Sequence, residues 1–138
     1  MQKVLIVDDN RASRDLIRAI LKSVSCDIVE ASDGQKGLDL LRLERPDVVL
    51  LDIDMPELNG LEVVKRIRED AAYSGLPVVA VTAFAMDGDR EKGMAAGFTA
   101  YLTKPIRAAI LRRQVQELLR AAREERDHGN ASCNGSRD

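Results

Sequence analysis

The chain has 138 residues, 45% hydrophobic and 32% charged, with only 4 Pro and 9 Gly, which fits one globular domain and excludes a disordered or fibrous chain. Its 21 Lys+Arg stand against 23 Asp+Glu, a formal net charge of −2 without the basic excess that direct nucleic-acid binding needs. Clear apolar runs such as Val4–Val7 are four residues long, whereas a membrane span needs about 20 and a signal peptide about 7–15, so a soluble cytoplasmic protein is expected.

Five short apolar runs follow one another along the chain: Val4–Val7, Ile28–Val29 (flanked by Cys26 and Ala31), Val48–Leu51, Val78–Val81 and Ala100–Leu102. The first, third and fourth are continuous rather than alternating, as strands buried on both faces of a parallel sheet are. Helical periodicity fills the gaps. Leu16, Ile17, Ile20, Leu21 and Val24 make one apolar stripe, Leu38, Leu40, Leu41 and Leu43 a second, and Leu61, Val63, Val64 and Ile67 a third. The fourth helical stretch, about Asp87–Ala96, contains Gly88 and Gly93 and stops at Gly97. Each interior Gly costs about 1 kcal/mol against Ala, so this helix is expected to be the least stable and the easiest to move. The fifth runs from Ile106 through Leu119, and the polar residues that follow are read as a mobile tail. The expected organisation is a folded unit over 1–122 and a disordered polar tail over 123–138. Strand–helix alternation with short loops predicts an α/β fold: a flavodoxin-like (βα)5 doubly wound parallel sheet with strand order 2-1-3-4-5.

Cysteine and histidine usage removes several chemistries. Cys26 reads as a small buried hydrophobe, while Cys133 and the single histidine, His128, lie in the polar tail. Zinc sites and Ser-His or Cys-His nucleophiles are therefore not expected. With 3% aromatics and no Trp, stacking platforms for bases or a flavin are scarce. The chemistry falls to carboxylates, hydroxyls and lysines.

Those residues follow the apolar runs. The first run ends in Asp8-Asp9, the third in Asp52, the fourth in Thr82 and the fifth in Thr103-Lys104-Pro105. In an open parallel sheet the ligand crevice lies beyond the carboxyl ends of the strands, where strand order reverses, here between the first and third strands. Taken singly, an Asp there is a helix cap or turn former, Thr82 a β-branched strand residue and Lys104 a solvated charge. Taken together, on one rim, they define a site. Three converging carboxylates repel and ask for a cation or raised pKa values, and a hard divalent ion such as magnesium suits oxygen ligands. Asp52 is then free to act as a nucleophile on phosphorus, with Lys104 and Thr82 stabilising charge on the phosphoryl oxygens.

The segments Val-Leu-Ile-Val-Asp8-Asp9-Asn10, Leu-Leu-Asp52-Ile-Asp-Met55-Pro56-Glu-Leu-Asn-Gly60, Val-Thr82-Ala83 and Lys104-Pro105 resemble the receiver domain of two-component response regulators, in order and over Gln2 to about Leu119. The resemblance implies that Asp52 accepts a phosphoryl group from the phosphohistidine of a sensor histidine kinase or phosphotransfer protein. It implies that Asp9 and Asp52 hold magnesium directly, Asp8 through water, and Asp54 through its backbone carbonyl, with Lys104 pairing a phosphoryl oxygen. Lys104–Pro105 resembles the family's cis bond, a form taken by only about 5–6% of X–Pro bonds. Thr82 and Tyr101 resemble the family's switch pair, acting on a partner-binding face made by the fourth helix, fifth strand and fifth helix. Homodimerisation through that face is compatible with the family. Asp54 and Phe84 stand where receivers vary in phosphoryl lifetime, and shielding by Phe84 is expected to slow self-hydrolysis.

Two rival readings come from other classes. A haloacid-dehalogenase-like magnesium phosphohydrolase would use Asp52-Ile-Asp54, but gives no role to Asp8-Asp9 and generally needs a longer chain. A phosphorylation-independent interaction module would keep the fold and leave the acidic pocket unexplained. A flavodoxin is disfavoured because no hydroxyl-rich phosphate loop follows the first strand. The expected protein is a stand-alone regulator or the excised receiver of a larger one. It would not be an enzyme beyond self-phosphotransfer and autodephosphorylation.

Overall fold

In the computed structural model, which describes residues 2–83 and 89–131, each apolar run forms a strand: β1 (Lys3–Val7), β2 (Asp27–Ala31), β3 (Val48–Leu51), β4 (Val78–Thr82) and β5 (Ala100–Thr103). All pair in parallel, in the order β2-β1-β3-β4-β5 that the sequence predicts. Between and after them lie α1 (Arg11–Ile20), α2 (Gly34–Glu44), α3 (Gly60–Glu69), α4 (Asp89–Ala96) and α5 (Ala108–Ala131).

The two-faced burial explains the unbroken runs. Successive strand residues point to opposite faces. Val4, Ile6, Val48, Leu50, Val79 and Val81 go to one core with Ile17 and Ile20 of α1 and Leu111, Val115 and Leu119 of α5. Leu5, Val7, Val49, Leu51, Val78 and Ala80 go to the other, with Leu38 and Leu41 of α2 and Val63, Val64 and Ile67 of α3. Neither face of the central strands meets water, so neither tolerates a polar residue until the strand ends.

Local signals start the first three helices. The side chains of Asn10, Asp33 and Asn59 accept from the backbone N–H of Ser13, Lys36 and Glu62, and Glu62 answers Asn59 in a reciprocal capping box. Each cap satisfies an N–H that the helix itself leaves without a partner.

Several sequence expectations are corrected. Leu16 and Leu43 face solvent, at 48% and 75% exposure. Leu16 is turned by one residue from the Ile17–Ile20 line, and Leu43 by two from Leu41, so neither can share the buried face. Cys26 is half-buried rather than enclosed. The stripe that ends in Leu21 and Val24 outruns α1, which gives way to a 3-10 turn at Leu21–Ser23. α5 continues to Ala131, past the boundary at 122 where a tail is expected. The apolar stripe stops at Leu119, but Arg120 to Arg126 are Arg, Ala and Glu, good helix formers without packing. Gln2 also ties this part of the helix to the sheet: its amide donates to the Leu119 carbonyl at 2.7 Å, and Arg123 donates to the Gln2 amide oxygen at 3.2 Å. Phe84, Gly88 and Cys133 lie outside the described residues, as does the stretch 132–138.

Gly60 marks where α3 meets the third strand's exit. A Cβ there would stand 2.4 Å from the Asp52 carbonyl oxygen and 2.6 Å from the Ile53 Cα, both backbone atoms that cannot rotate away. Gly60→Ala is expected to destabilise the chain by about 1–3 kcal/mol, the usual cost of overpacking. Gly75→Ala, where a Cβ meets nothing within 4 Å, should leave the urea midpoint nearly unchanged. Equal midpoints for the two variants would contradict this reading.

Candidate functional site

The site is built at the carboxyl ends of three strands. The hydrogen-bond ladder continues one residue beyond each: Asp8 N–H donates to Ala31 O at 3.1 Å, Asp52 N–H to Val7 O at 2.9 Å, and Lys104 N–H to Thr82 O at 2.8 Å. The first residue past β1, β3 and β5 is thus held with the sheet's own precision. β1 sits between β2 and β3, so the connections diverge there and leave the crevice open.

Into that crevice point Asp8, Asp9 and Asp52, each offering a carboxylate oxygen within 4.8 Å of the others. Asp8 is 1% exposed and Asp52 5%, whereas Asp9 is exposed. Lys104 reaches in from the far side. Its ammonium donates to Asp8 Oδ2 at 3.1 Å and to Ser13 Oγ at 3.2 Å, and lies 3.5 Å from Asp52 Oδ2. Asp8 Oδ1 accepts from Asn10 N–H at 2.8 Å, and Asp52 Oδ1 from Asp54 N–H at 3.1 Å. Both buried carboxylates therefore have partners, as buried charges must.

The electrostatics set the two key groups apart. Burial pushes Asp52 up to about 6, with the Asp8 charge adding to it, against partial relief from Lys104 and the Asp54 N–H. For Lys104, burial disfavours the ammonium, but its hydrogen bond to Asp8 and the charges of Asp52 and Asp8 outweigh it and raise its pKa. The lysine stays charged while one carboxylate is held near the edge of ionisation. One ammonium against three carboxylates leaves an anionic crevice lined by hard oxygen donors, which fits a hard divalent cation such as magnesium.

The remaining sequence-predicted residues stand as follows. Thr82 closes β4 and is fully buried. Tyr101 is buried in β5, one strand over from Ala80. A Cβ on Gly93 of α4 would meet the Tyr101 ring at 3.1 Å, so the helix lies directly on that ring. Asp54 lends its N–H to Asp52 while its own side chain is exposed. The Lys104–Pro105 peptide is cis. Sequence reasoning missed Ser13, the third partner of Lys104. It lies in the first turn of the helix that begins just after Asp8-Asp9, so its position near the rim was the available signal.

With this geometry in view, similarity to known proteins identifies the class. The family model for the response regulator receiver domain matches residues 4–116. The polar-differentiation response regulator DivK of Brucella anthropi is 42% identical over 105 residues, which cover 76% of this chain and 85% of that protein. Chemotaxis response regulator CheY4 of Vibrio cholerae superposes with a TM-score of 0.79 at 30% identity, over 86% of this chain and 98% of that one. A CheY-like receiver domain protein from Methanospirillum hungatei superposes with a TM-score of 0.81 at 26% identity, over 91% and 98%. The chain belongs to the response-regulator receiver family of two-component signalling. Receivers of this family bind magnesium in an acidic pocket and interact with histidine kinases and downstream partners; they are not enzymes in the usual sense. Nothing in these matches favours the phosphohydrolase reading, and Asp54, its required acid, turns its side chain to solvent.

Because the folded state raises the Asp52 pKa from 3.8 to about 6, folding favours its protonated form. That contribution is fully present below about pH 4 and is lost as pH rises through about 6. Asp52→Asn should stabilise the magnesium-free protein at about pH 8 by about 1–2 kcal/mol after allowance for solvent screening. The gain should vanish near pH 4 in urea denaturation with a chelator present. An equal gain at both pH values would refute an electrostatic origin.

Proposed function

We propose that Asp52 is the phospho-acceptor of a two-component phosphorelay. A carboxylate oxygen of Asp52 attacks the phosphorus of a phosphohistidine on a sensor histidine kinase or phosphotransfer protein. The new P–O bond forms as the P–N bond breaks, and the departing imidazole takes up a proton from solvent. Asp8, Asp9, Asp52 and the Asp54 backbone carbonyl would hold Mg2+, which when bound offsets the negative charge of the carboxylates and the phosphoryl oxygens. Lys104 turns its ammonium from the carboxylates to a phosphoryl oxygen, and Thr82 supplies a hydroxyl donor. The observation that carries this reading is the convergence of three carboxylates, two of them sharing one ammonium, at the point where strand order reverses.

The output is a change of surface. Thr82 ends β4, and Tyr101 lies on the neighbouring strand under Gly93 of α4. A shift of Thr82 toward the phosphoryl group gives the Tyr101 ring room to repack, and α4 is the element resting on that ring. The α4–β5–α5 face would then bind a downstream protein partner, or a second copy of the chain, in one phosphorylation state. The setting is cytoplasmic, which agrees with the lack, among the described residues, of a helix long and apolar enough to cross a membrane. Hydrolysis of the aspartyl phosphate by water resets the switch.

Intact mass after incubation with Mg2+ and acetyl phosphate should show one added phosphoryl group, absent in Asp52→Asn and absent with a chelator. Rapid donor turnover over many substrates without a labelled protein would favour a phosphohydrolase. Absence of labelling, of turnover and of beryllofluoride binding would leave an interaction module. Tyr101→Ala is expected to take up phosphoryl normally while the amide shifts of α4 no longer differ between the two states.

A further inference from the structure

Asp9 reaches the crevice from an exposed position, and among the described residues no hydrogen bond or ion pair holds its carboxylate. Its direction therefore depends on the backbone that carries it. The peptide joining Asp8 to Asp9 is gripped by one side chain: the Arg14 guanidinium of α1 donates from one terminal nitrogen to the Asp8 carbonyl oxygen at 2.7 Å. Arg14 is well covered, with its side chain 15% exposed, and its Nε donates to Glu30 Oε1 on β2 at 3.1 Å. The other Glu30 oxygen is taken by Arg18, one turn further along α1. Asp8 N–H is meanwhile fixed to Ala31, the residue after Glu30. Both faces of the Asp8 backbone are thus anchored to the β2 edge, one by the ladder and one through Arg14.

A guanidinium suits this task. Its planar fork presents two donors in a fixed relation, so one arm on Glu30 sets the aim of the other. A lysine at the same place would offer rotatable donors on one nitrogen, with no fixed relation between its contacts. Groups that orient metal ligands commonly change metal affinity about 10–100-fold when removed, because the ligands must then pay the ordering entropy themselves.

We propose that Arg14, held by Glu30, is a positioning residue for cation binding: by fixing the Asp8–Asp9 peptide plane it sets the direction of the Asp9 carboxylate. The assignment rests on the reading of the crevice as a magnesium site.

Calorimetric Mg2+ titration of the wild type, Arg14→Met, Arg14→Lys, Glu30→Gln and the Arg14→Met/Glu30→Gln pair tests it. Arg14→Met should weaken Mg2+ about tenfold or more, Arg14→Lys and Glu30→Gln less. The double variant should lose no more than Arg14→Met alone, because Glu30 acts through Arg14. Arg68→Met provides the structural control. That guanidinium also donates to backbone carbonyls, those of Gly97 and Tyr73 at 2.9 and 2.6 Å, but at the amino ends of the strands. It should lower the thermal midpoint and leave Mg2+ affinity unchanged. In magnesium-free Arg14→Met, amide relaxation should show new motion confined to Asp9 and Asn10. Wild-type affinity in Arg14→Met, additive losses in the pair, or a loss matched by Arg68→Met would each overturn the proposal. If the wild type itself binds no Mg2+, the magnesium reading falls for every variant alike and takes the assignment with it.

Discussion

The whole site depends on a ladder of parallel backbone hydrogen bonds that runs one residue further than the strands do. Asp8, Asp52 and Lys104 each donate a backbone N–H to the neighbouring strand, so three charged side chains begin from anchored positions. Without that constraint the repulsion between the two carboxylates would spread them apart. A strand buried on both faces cannot admit a charge, whereas the first residue beyond it faces the crevice left by diverging connections. Here that residue is Asp on β1 and β3, and Lys on β5.

Held together, the charges do not cancel. One ammonium is shared by two buried carboxylates, and a third carboxylate stands beside them. The elevated Asp52 pKa records the residual strain in electrostatic form. A pocket tuned only for stability would carry an apolar or amide side chain at this position. Retaining the carboxylate costs folding free energy and leaves a group whose interactions improve when a cation or phosphoryl group arrives, the usual tension between stability and function. The anchoring of Asp8 by Arg14 belongs to the same logic, because a strained set of ligands keeps its spacing only if its backbone is held.

The α4 region is built more loosely. α4 has eight residues, the shortest of the five helices among the described residues, and Gly93 within it lets the Tyr101 ring lie against its backbone. Such an element has little local stability of its own and takes its position from the ring beneath it. Rigidity at the strand ends and compliance at α4 are complementary: a local charge event can be sensed by the first and displayed by the second.

Much of this was legible in the residues themselves. Unbroken apolar runs required strands covered on both faces, and the charged residues closing the first, third and fifth had to lie on one rim, so fold and strand order followed from pattern, as did the meeting of Asp8, Asp9, Asp52 and Lys104. Helix extent was less legible at α5, because loss of an apolar stripe ends packing but not helix propensity. The exposure of Leu16 and Leu43 was also hidden, since an angular offset of one or two residues reverses burial. What the chain alone could not determine was contact between side chains and backbone of different elements: Lys104 on Ser13, Arg14 on the Asp8 carbonyl and Glu30, and Gly93 on Tyr101. Composition and periodicity constrain which face a side chain takes. Only tertiary packing decides which partner that face meets, because hydrogen bonds are set by tenths of an ångström that no sequence spacing encodes.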